Sequence, residues 1–291
     1  MDRHLLVTVS EQQSALYGVR FVGRFFPDKT GLRLTLFYTA PKPPPLWEGE
    51  RTYDNVSQSE EQAKQYEIKG RKALEGARKE LIQRGFAREA VDAKFQTRKF
   101  SKVMDIIQEA EQGLYDAVVL GRRGLSWLEE AFDESVTADL LENKVQFPIW
   151  ICRRPDTERR NVLVCIDGSE ASYRMADHVG FMVGPGTEHR VILFTVEKPG
   201  EASEQGAEEI LSKGREELVR NGVEKERIEI KAVDGGNVAR AILKEAEKGR
   251  FAVVGVGRRG AGQGLLKKWF MGSVSSALFK EIQGTALWIC H

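Results

Sequence analysis

The residues best placed by type and spacing to do chemistry are two glycines, a Gly-Ser pair and an aspartate. The apolar run Val253-Val254-Gly255-Val256 leads into Gly257-Arg258-Arg259-Gly260, eleven residues intervene, and Gly272-Ser273-Val274 opens a segment of helical period. Glycine permits positive φ and close approach of backbone N–H groups to a ligand. A helix start adds unpaired N–H donors and the positive end of a dipole. Together they suit a polyphosphate. Upstream, the run Val162-Leu163-Val164-Cys165-Ile166 ends on Asp167-Gly168-Ser169. Each feature also has a plainer reading. The aspartate tripeptide makes a good strand-to-helix turn with Ser169 as cap, a lone Gly-x-x-Gly is weak, and Ser273 is a reasonable N-cap whatever it binds. Arg258, Arg259, Lys267 and Lys268 can be solvated charges, although a phosphate would draw at least one of them. The conjunction, in order, favours a nucleotide site. No Gly-Lys-Ser/Thr follows a glycine loop, so the site is not of the P-loop type.

A search for catalytic groups finds little. His4, His178, His189 and His291 show no metal-ligand spacing, no Gly-x-Ser-x-Gly elbow occurs, and Cys152, Cys165 and Cys290 lie in no motif that marks a nucleophile. Paired acids such as Glu129-Glu130 and Glu208-Glu209 read as solvated helix or loop charges. Nothing in these residues identifies an enzyme.

The glycine loop has an altered copy earlier in the chain. Val118-Val119-Leu120-Gly121-Arg122-Arg123-Gly124 is followed by nine residues and then Glu134-Ser135-Val136. The copies belong to a longer repeat, because Leu6-Val7-Thr8-Val9 aligns with Leu163-Val164-Cys165-Ile166, and Pro148-Ile149-Trp150-Ile151-Cys152 with Ala286-Leu287-Trp288-Ile289-Cys290. One domain is duplicated, as residues 1–153 and 160–291, with Arg153 to Arg160 as the linker. In the first copy Ser10 stands where Asp167 stands, and Glu134 where Gly272 stands. A carboxylate at the phosphate end repels anions, and its Cβ restricts backbone that glycine leaves free. The first copy reads as a partner domain, open to a different ligand. Its roughly twenty extra residues lie between Thr39 and Glu80 and include Pro41, Pro43, Pro44, Pro45 and Trp47, which predict a loop or hinge.

The 291 residues suit two domains that each bury a core. With 30% charged residues and a net charge of +1, the composition points to neither a nucleic-acid nor an anionic-membrane surface. Three cysteines without metal spacing fit a reducing cytoplasm, and the start Met1-Asp2-Arg3-His4 runs straight into a strand pattern without an apolar leader. Short Val/Leu/Ile runs alternate with segments of helical period, which predicts parallel strands covered by helices on both faces. In the second half the strands are expected near 161–166, 190–196, 228–233, 251–256 and 286–290, with helices near 170–183, 203–221, 237–248 and 273–282.

Val162 through Ser172 resembles the opening strand of universal stress protein domains, and Gly257-x-x-Gly260 to Gly272-Ser273 resembles their nucleotide loop. The family's gap of nine residues is eleven here, Ala261 to Met271. Nearly the whole chain outside the proline-rich insertion resembles a tandem two-domain member. The resemblance implies an α/β fold of two doubly wound domains, each with a five-stranded, mainly parallel sheet of adenine nucleotide alpha hydrolase-like type. It also implies that the first and fourth strands are adjacent where the winding reverses, the position at which open α/β sheets bind ligands. Carried over residue by residue, it places Asp167 beside adenine and ribose, Val196 against the base, and Val256, Gly257, Arg259, Gly260, Gly272, Ser273 and Val274 around the phosphates.

The expected ligand is ATP, with AMP or ADP as alternatives and Mg2+ accompanying a triphosphate. The expected function is a regulatory, nucleotide-dependent switch in a stress response, acting on an unidentified protein partner. A rival is a slow ATPase or autophosphorylating enzyme using Ser273, Ser275 or Ser276, and a third reading is a nucleotide-free interaction scaffold. The apolar last strands, Phe147 to Cys152 and Thr285 to Cys290, invite edge pairing. Family members pair through that strand, so the halves are expected to meet there antiparallel as an intramolecular pseudo-dimer, with Cys152 and Cys290 at opposite ends; a further homodimer is left open. The stretch Ala261 to Phe270 is expected to move when phosphates bind.

Overall fold

The structure is a computed structural model describing residues 2–12, 16–121, 145–156, 158–184, 186–197, 204–258 and 272–291. The first half contains β1 (Arg3–Thr8), α1 (Tyr17–Phe25), β2 (Leu32–Ala40), α2 (Tyr53–Gln83), β3 (Val91–Thr97), α3 (Lys102–Gly113), β4 (Ala117–Gly121) and β5 (Ile149–Cys152). The second contains β6 (Arg160–Cys165), α4 (Glu170–Val183), β7 (Val191–Glu197), α5 (Glu204–Arg220), β8 (Ile228–Asp234), α6 (Val238–Lys248), β9 (Phe251–Gly257), α7 (Ser273–Glu281) and β10 (Ala286–Cys290). Within each half every strand neighbour is parallel, and β1/β4 and β6/β9 are adjacent. The apolar strands feed both faces. Leu5 and Val7 join the core beneath one helical layer, while Leu6 joins the core beneath the other.

The two five-stranded sheets join into one of ten strands, in the order β3-β2-β1-β4-β5-β10-β9-β6-β7-β8. The junction is the antiparallel pairing of β5 with β10, in which Trp150 lies opposite Trp288. Both indoles are fully buried and stack with centroids 3.8 Å apart and planes 4° from parallel. The antiparallel register puts Cys152 and Cys290 on opposite sides of the tryptophan pair, and all three cysteines are free. Burial raises each thiol above its ordinary range and keeps it neutral.

The duplication is not exact in the core, and the differences compensate. A Cβ added to Gly255 on β9 would lie 2.8 Å from Sδ of Met175 on α4. At the matching positions the bulk is reversed, because Gly18 on α1 faces Val119 on β4, whose Cγ1 would be 3.0 Å from an added Cβ. Close packing requires one large partner at each site and tolerates either element supplying it. At the junction the exchange is polar. Trp150 Nε1 donates to His178 Nε2 at 2.9 Å, whereas Trp288 meets the edge of Phe21, which occupies the equivalent position, at 6.4 Å. Trp288 Nε1 is buried and has no hydrogen-bond partner among the described residues. Each half also caps the other's first helix. Arg3 Nη1 donates to Met182 O at 2.6 Å near the end of α4, and His189 Nε2 donates to Phe25 O at 2.7 Å at the end of α1.

Two connections differ from expectation or add to it. The insertion predicted as a loop or hinge is mostly helix: Pro41 to Trp47 is irregular and Glu48–Glu50 forms a short 3-10 turn, but Thr52 then caps α2. This helix has 31 residues against 17 in α5. Its outer part is rich in Gln, Glu and Lys and carries i,i+4 bonds from Gln65 to Glu61 and from Arg71 to Glu67, so it is helical without a continuous apolar stripe of its own. The linker is tied down. Asp156 N–H donates to Gly284 O, and Arg159 reaches Asp156, Glu247 and Thr285. Among the described residues no helix is long and apolar enough to cross a membrane.

Candidate functional site

Asp167 follows the carboxyl end of β6, and Gly257 ends β9 beside it, so both lie at the reversal of winding in the second half. The aspartate is exposed, and its Oδ1 accepts from Ser169 N–H at 3.0 Å and Ser169 Oγ at 2.6 Å. Gly168 makes this turn possible with φ of 83°. Ser169 then caps α4 by accepting from Ser172 N–H at 3.2 Å. The capping geometry and the exposed carboxylate coexist.

Gly257 is required by close approach. A Cβ there would lie 2.9 Å from Ser172 N and 3.0 Å from the Ala171 carbonyl carbon, both backbone atoms at the start of α4. Val256, one residue earlier, is buried with its side chain in the core, leaving only its backbone to meet a ligand. Val196 near the end of β7 is partly exposed, and Gly235 comes close against it, an added Cβ lying 3.1 Å from Val196 Cγ1.

Arg258 is not the solvated loop charge its sequence suggests, since it is buried at 3% exposure. Its N–H donates to Cys290 O at 2.6 Å, and its carbonyl accepts from Gly272 N–H at 2.8 Å and from Ser275 Oγ at 3.0 Å. Its guanidinium donates to Val145 O of the first half at 3.3 Å. The strand end, the start of α7 and the first half thus share one residue. Gly272 is the N-cap of α7, its N–H already used. The next N–H groups, of Ser273, Val274 and Ser275, are the helix-terminal donors that have no carbonyl one turn back. Ser273 is exposed and Val274 partly so. Ser275 is buried with its hydroxyl held by the carbonyls of Arg258 and Gly272. Arg259, Gly260, the stretch Ala261 to Met271, and Glu134 and Ser135 of the first half lie outside the described residues.

The first half's crevice differs by a residue that the motif comparison missed. Asp105 on α3 is buried at 1% exposure, and its carboxylate accepts from Thr39 Oγ1 at 3.0 Å and from the N–H groups of Lys99 and Phe100 at 3.0 and 3.1 Å. Thr39 matches Val196, and Asp105 matches Ala241, so in the first half a carboxylate and a hydroxyl close the place that a valine and an alanine line in the second. Ser10 Oγ is buried and makes no hydrogen bond among the described residues. Asp105→Ala leaves three donors without their acceptor and should cost about 3 kcal/mol of stability; a shift of the urea midpoint equivalent to less than about 1 kcal/mol would contradict this role.

The sequence model of the universal stress protein family matches residues 1–153 and 158–285. Among solved structures, a universal stress protein from Archaeoglobus fulgidus DSM 4304 aligns over 99% of this chain and 95% of its own, with TM-score 0.66 and 18% identity. The functionally unknown protein PA1789 from Pseudomonas aeruginosa PAO1 aligns over 99% and 92%, with TM-score 0.55 and 14% identity. A universal stress protein solved in complex with cAMP covers 46% of this chain and 97% of its own, with TM-score 0.38 and 22% identity. No curated protein matches the chain.

Proposed function

The chain belongs to the universal stress protein family, and from that premise we propose that its second half binds an adenine nucleotide and acts as a nucleotide-dependent switch in a stress response. Residues 160–291 form the nucleotide-binding domain and residues 1–153 its degenerate partner. The observation that carries this reading is the meeting of an exposed Asp167, the glycine-ended strand β9 and the start of α7 at one reversal of winding. The residues present fit such a ligand: Val196 is partly exposed where a base would pack, and the exposed Ser273 opens a helix whose first N–H groups suit phosphate oxygens. Asp167 would receive base or ribose donors, with Val256, Gly257, Arg259, Gly260, Gly272, Ser273 and Val274 around the phosphates. Arg258 connects occupancy to the other half, because a shift of the loop ends acts on the bond from its guanidinium to Val145.

ATP is the first ligand to test, then ADP and AMP. Mg2+ would accompany the triphosphate. Cytoplasmic residence and an unidentified protein partner complete the reading. The Ser275 hydroxyl is committed to two carbonyls, so an autophosphorylating enzyme would use Ser273 or Ser276. Native mass spectrometry of the purified protein, followed by calorimetric titration, tests the proposal. One nucleotide per chain is expected, weakened by Gly272→Glu, which copies the first half's Glu134. Two equal sites, or none, would overturn it. With γ-labelled ATP, phosphate release or a labelled serine lost on Ser273→Ala would move the assignment to an enzyme.

A further inference from the structure

Independently of the nucleotide reading, we propose that the cleft crossed by the linker binds a small, hydroxyl-bearing phosphate monoester, with Arg154 as the principal ligand of its phosphate. The cleft lies where β5 ends, between the start of α1, the linker and the turn from α7 into β10, and has a volume of about 880 Å3. Small-molecule sites span about 300–1,000 Å3. Its side-chain donors include Arg153, Arg154, the Tyr17 hydroxyl and the Gln283 amide, and Pro155 and the Tyr17 ring give it an apolar wall.

The walls are fixed before any ligand arrives. Asp156 N–H donates to Gly284 O at 2.9 Å, and Gly284, at φ of 71°, lets Arg159 pass so closely that an added Cβ would lie 3.0 Å from Arg159 Nη2. Arg159, its side chain 7% exposed, joins Asp156 to Glu247, and Arg250 pairs with Asp156 as well. Both carboxylates that line the cleft are therefore already met by cations, which removes most of their repulsion for an anion. Glu281 lines the adjoining recess and not this cleft. Arg153 is positioned by its bond from Nη1 to Lys280 O at 3.2 Å and by the Phe279 ring, whose centroid is 4.6 Å from its guanidinium carbon. Arg154 is exposed, and neither it nor the Tyr17 hydroxyl has a hydrogen-bond or ion-pair partner among the described residues. A phosphate monoester carries a charge of about −1.5 to −2 and three acceptor oxygens, so it can take a guanidinium fork and the phenol together. A carboxylate's two oxygens are engaged by the fork alone.

The matching place in the second half is bridged. Arg174 stands where Tyr17 stands, and its Nη1 donates to the carbonyl of His291, which stands where Arg153 stands, at 3.2 Å. Tyr17 makes no such bond, and the linker adds a wall that the repeated unit lacks. The cleft is thus a product of joining two copies in one chain.

Calorimetric titration of the full, nucleotide-free chain with glucose 6-phosphate tests the proposal, with citrate as the carboxylate probe. One glucose 6-phosphate per chain is expected with a dissociation constant below about 1 mM, and citrate should bind at least about tenfold more weakly. Arg154→Ala should weaken the phosphate ester at least about tenfold, and Tyr17→Phe about two- to tenfold. Gly272→Glu, at the start of α7, should leave its affinity unchanged. No saturable binding at about 10 mM, citrate binding as tightly, or wild-type affinity in Arg154→Ala would each overturn the assignment. So would a loss on Gly272→Glu, which would put the phosphate at the start of α7 instead.

Discussion

Gly257→Ala is expected to weaken adenine nucleotide binding at least about a hundredfold and to lower stability by about 2 kcal/mol. The substitution adds one methyl, but its neighbours cannot yield cheaply. Ser172 N at 2.9 Å and the Ala171 carbonyl carbon at 3.0 Å are backbone atoms of the first turn of α4. That turn is fixed by Ser169, whose side chain accepts from Ser172 N–H and whose carbonyl accepts from Ser172 Oγ at 2.8 Å. Relief therefore requires α4 to move away from β9 or the end of β9 to tilt, and either displaces Asp167 relative to the glycine loop. A shift of about 1 Å is enough to misplace several ligand contacts together. Gly76→Ala is the control. Nothing lies within 4 Å of a Cβ there, and the residue is inside α2, so stability should rise by about 0.5–1 kcal/mol with affinity unchanged. Calorimetric titration and urea unfolding on both variants decide the matter: a Gly257→Ala protein with wild-type affinity would place the ligand elsewhere.

The repeated unit was legible because it is written locally. The expected strand near 161–166 is β6 at Arg160–Cys165, the expected helix at 170–183 is α4 with those bounds, and Asn237 caps α6 by accepting from Arg240 N–H at 3.0 Å. Strand period, cap chemistry and turn glycines are properties of neighbours in sequence. The apolar last strands announced an edge that would be paired, while its antiparallel sense, which the β5–β10 pairing bears out, came from the family resemblance rather than from the strands themselves. The misses arise where composition and tertiary contact disagree. The prolines announced a loop, but they end at Pro45, and the charged run after Thr52 is a good helix former whose polar surface hides its period. Arg258 looked like a loop charge because nothing near it in sequence shows that a carbonyl of the other half will receive it. Asp105 was invisible as the residue closing the first crevice for the same reason, its partner Thr39 being 66 positions away. One pattern could have exposed it. Aligning the two halves sets Asp105 against Ala241 and Thr39 against Val196, and two polar residues replacing two apolar ones at one crevice suggest that they satisfy each other.

The same comparison between halves yields a prediction about acid stability. His178 is buried against the stacked tryptophans and accepts from Trp150 Nε1, so it is neutral in the fold, with burial lowering its pKa to about 3. The unfolded chain returns it to about 6.5. Between these values the unfolded state binds a proton that the folded state does not, so stability falls as the pH drops from about 6.5 towards about 3, by about 1.4 kcal/mol per pH unit. At pH 4 this one residue costs roughly 3 kcal/mol relative to neutral pH. The molecule already contains the alternative, since Phe21 occupies the matching position and Trp288 Nε1 has no hydrogen-bond partner among the described residues. His178→Phe makes the junction symmetric in this respect. At pH 7 it should destabilise by about 1 kcal/mol, for the lost hydrogen bond and the orphaned indole N–H. At pH 4 it should be the more stable protein by about 2 kcal/mol, with the curves crossing between about pH 5.5 and 6. His189 is depressed as well, by burial first, but is present in both proteins and cancels in the difference. Urea unfolding from pH 4 to 8 measures that difference directly. A gap between the two proteins that stays constant across the range would mean that His178 titrates in the fold as it does in the unfolded chain, and so is not held neutral by its burial against Trp150.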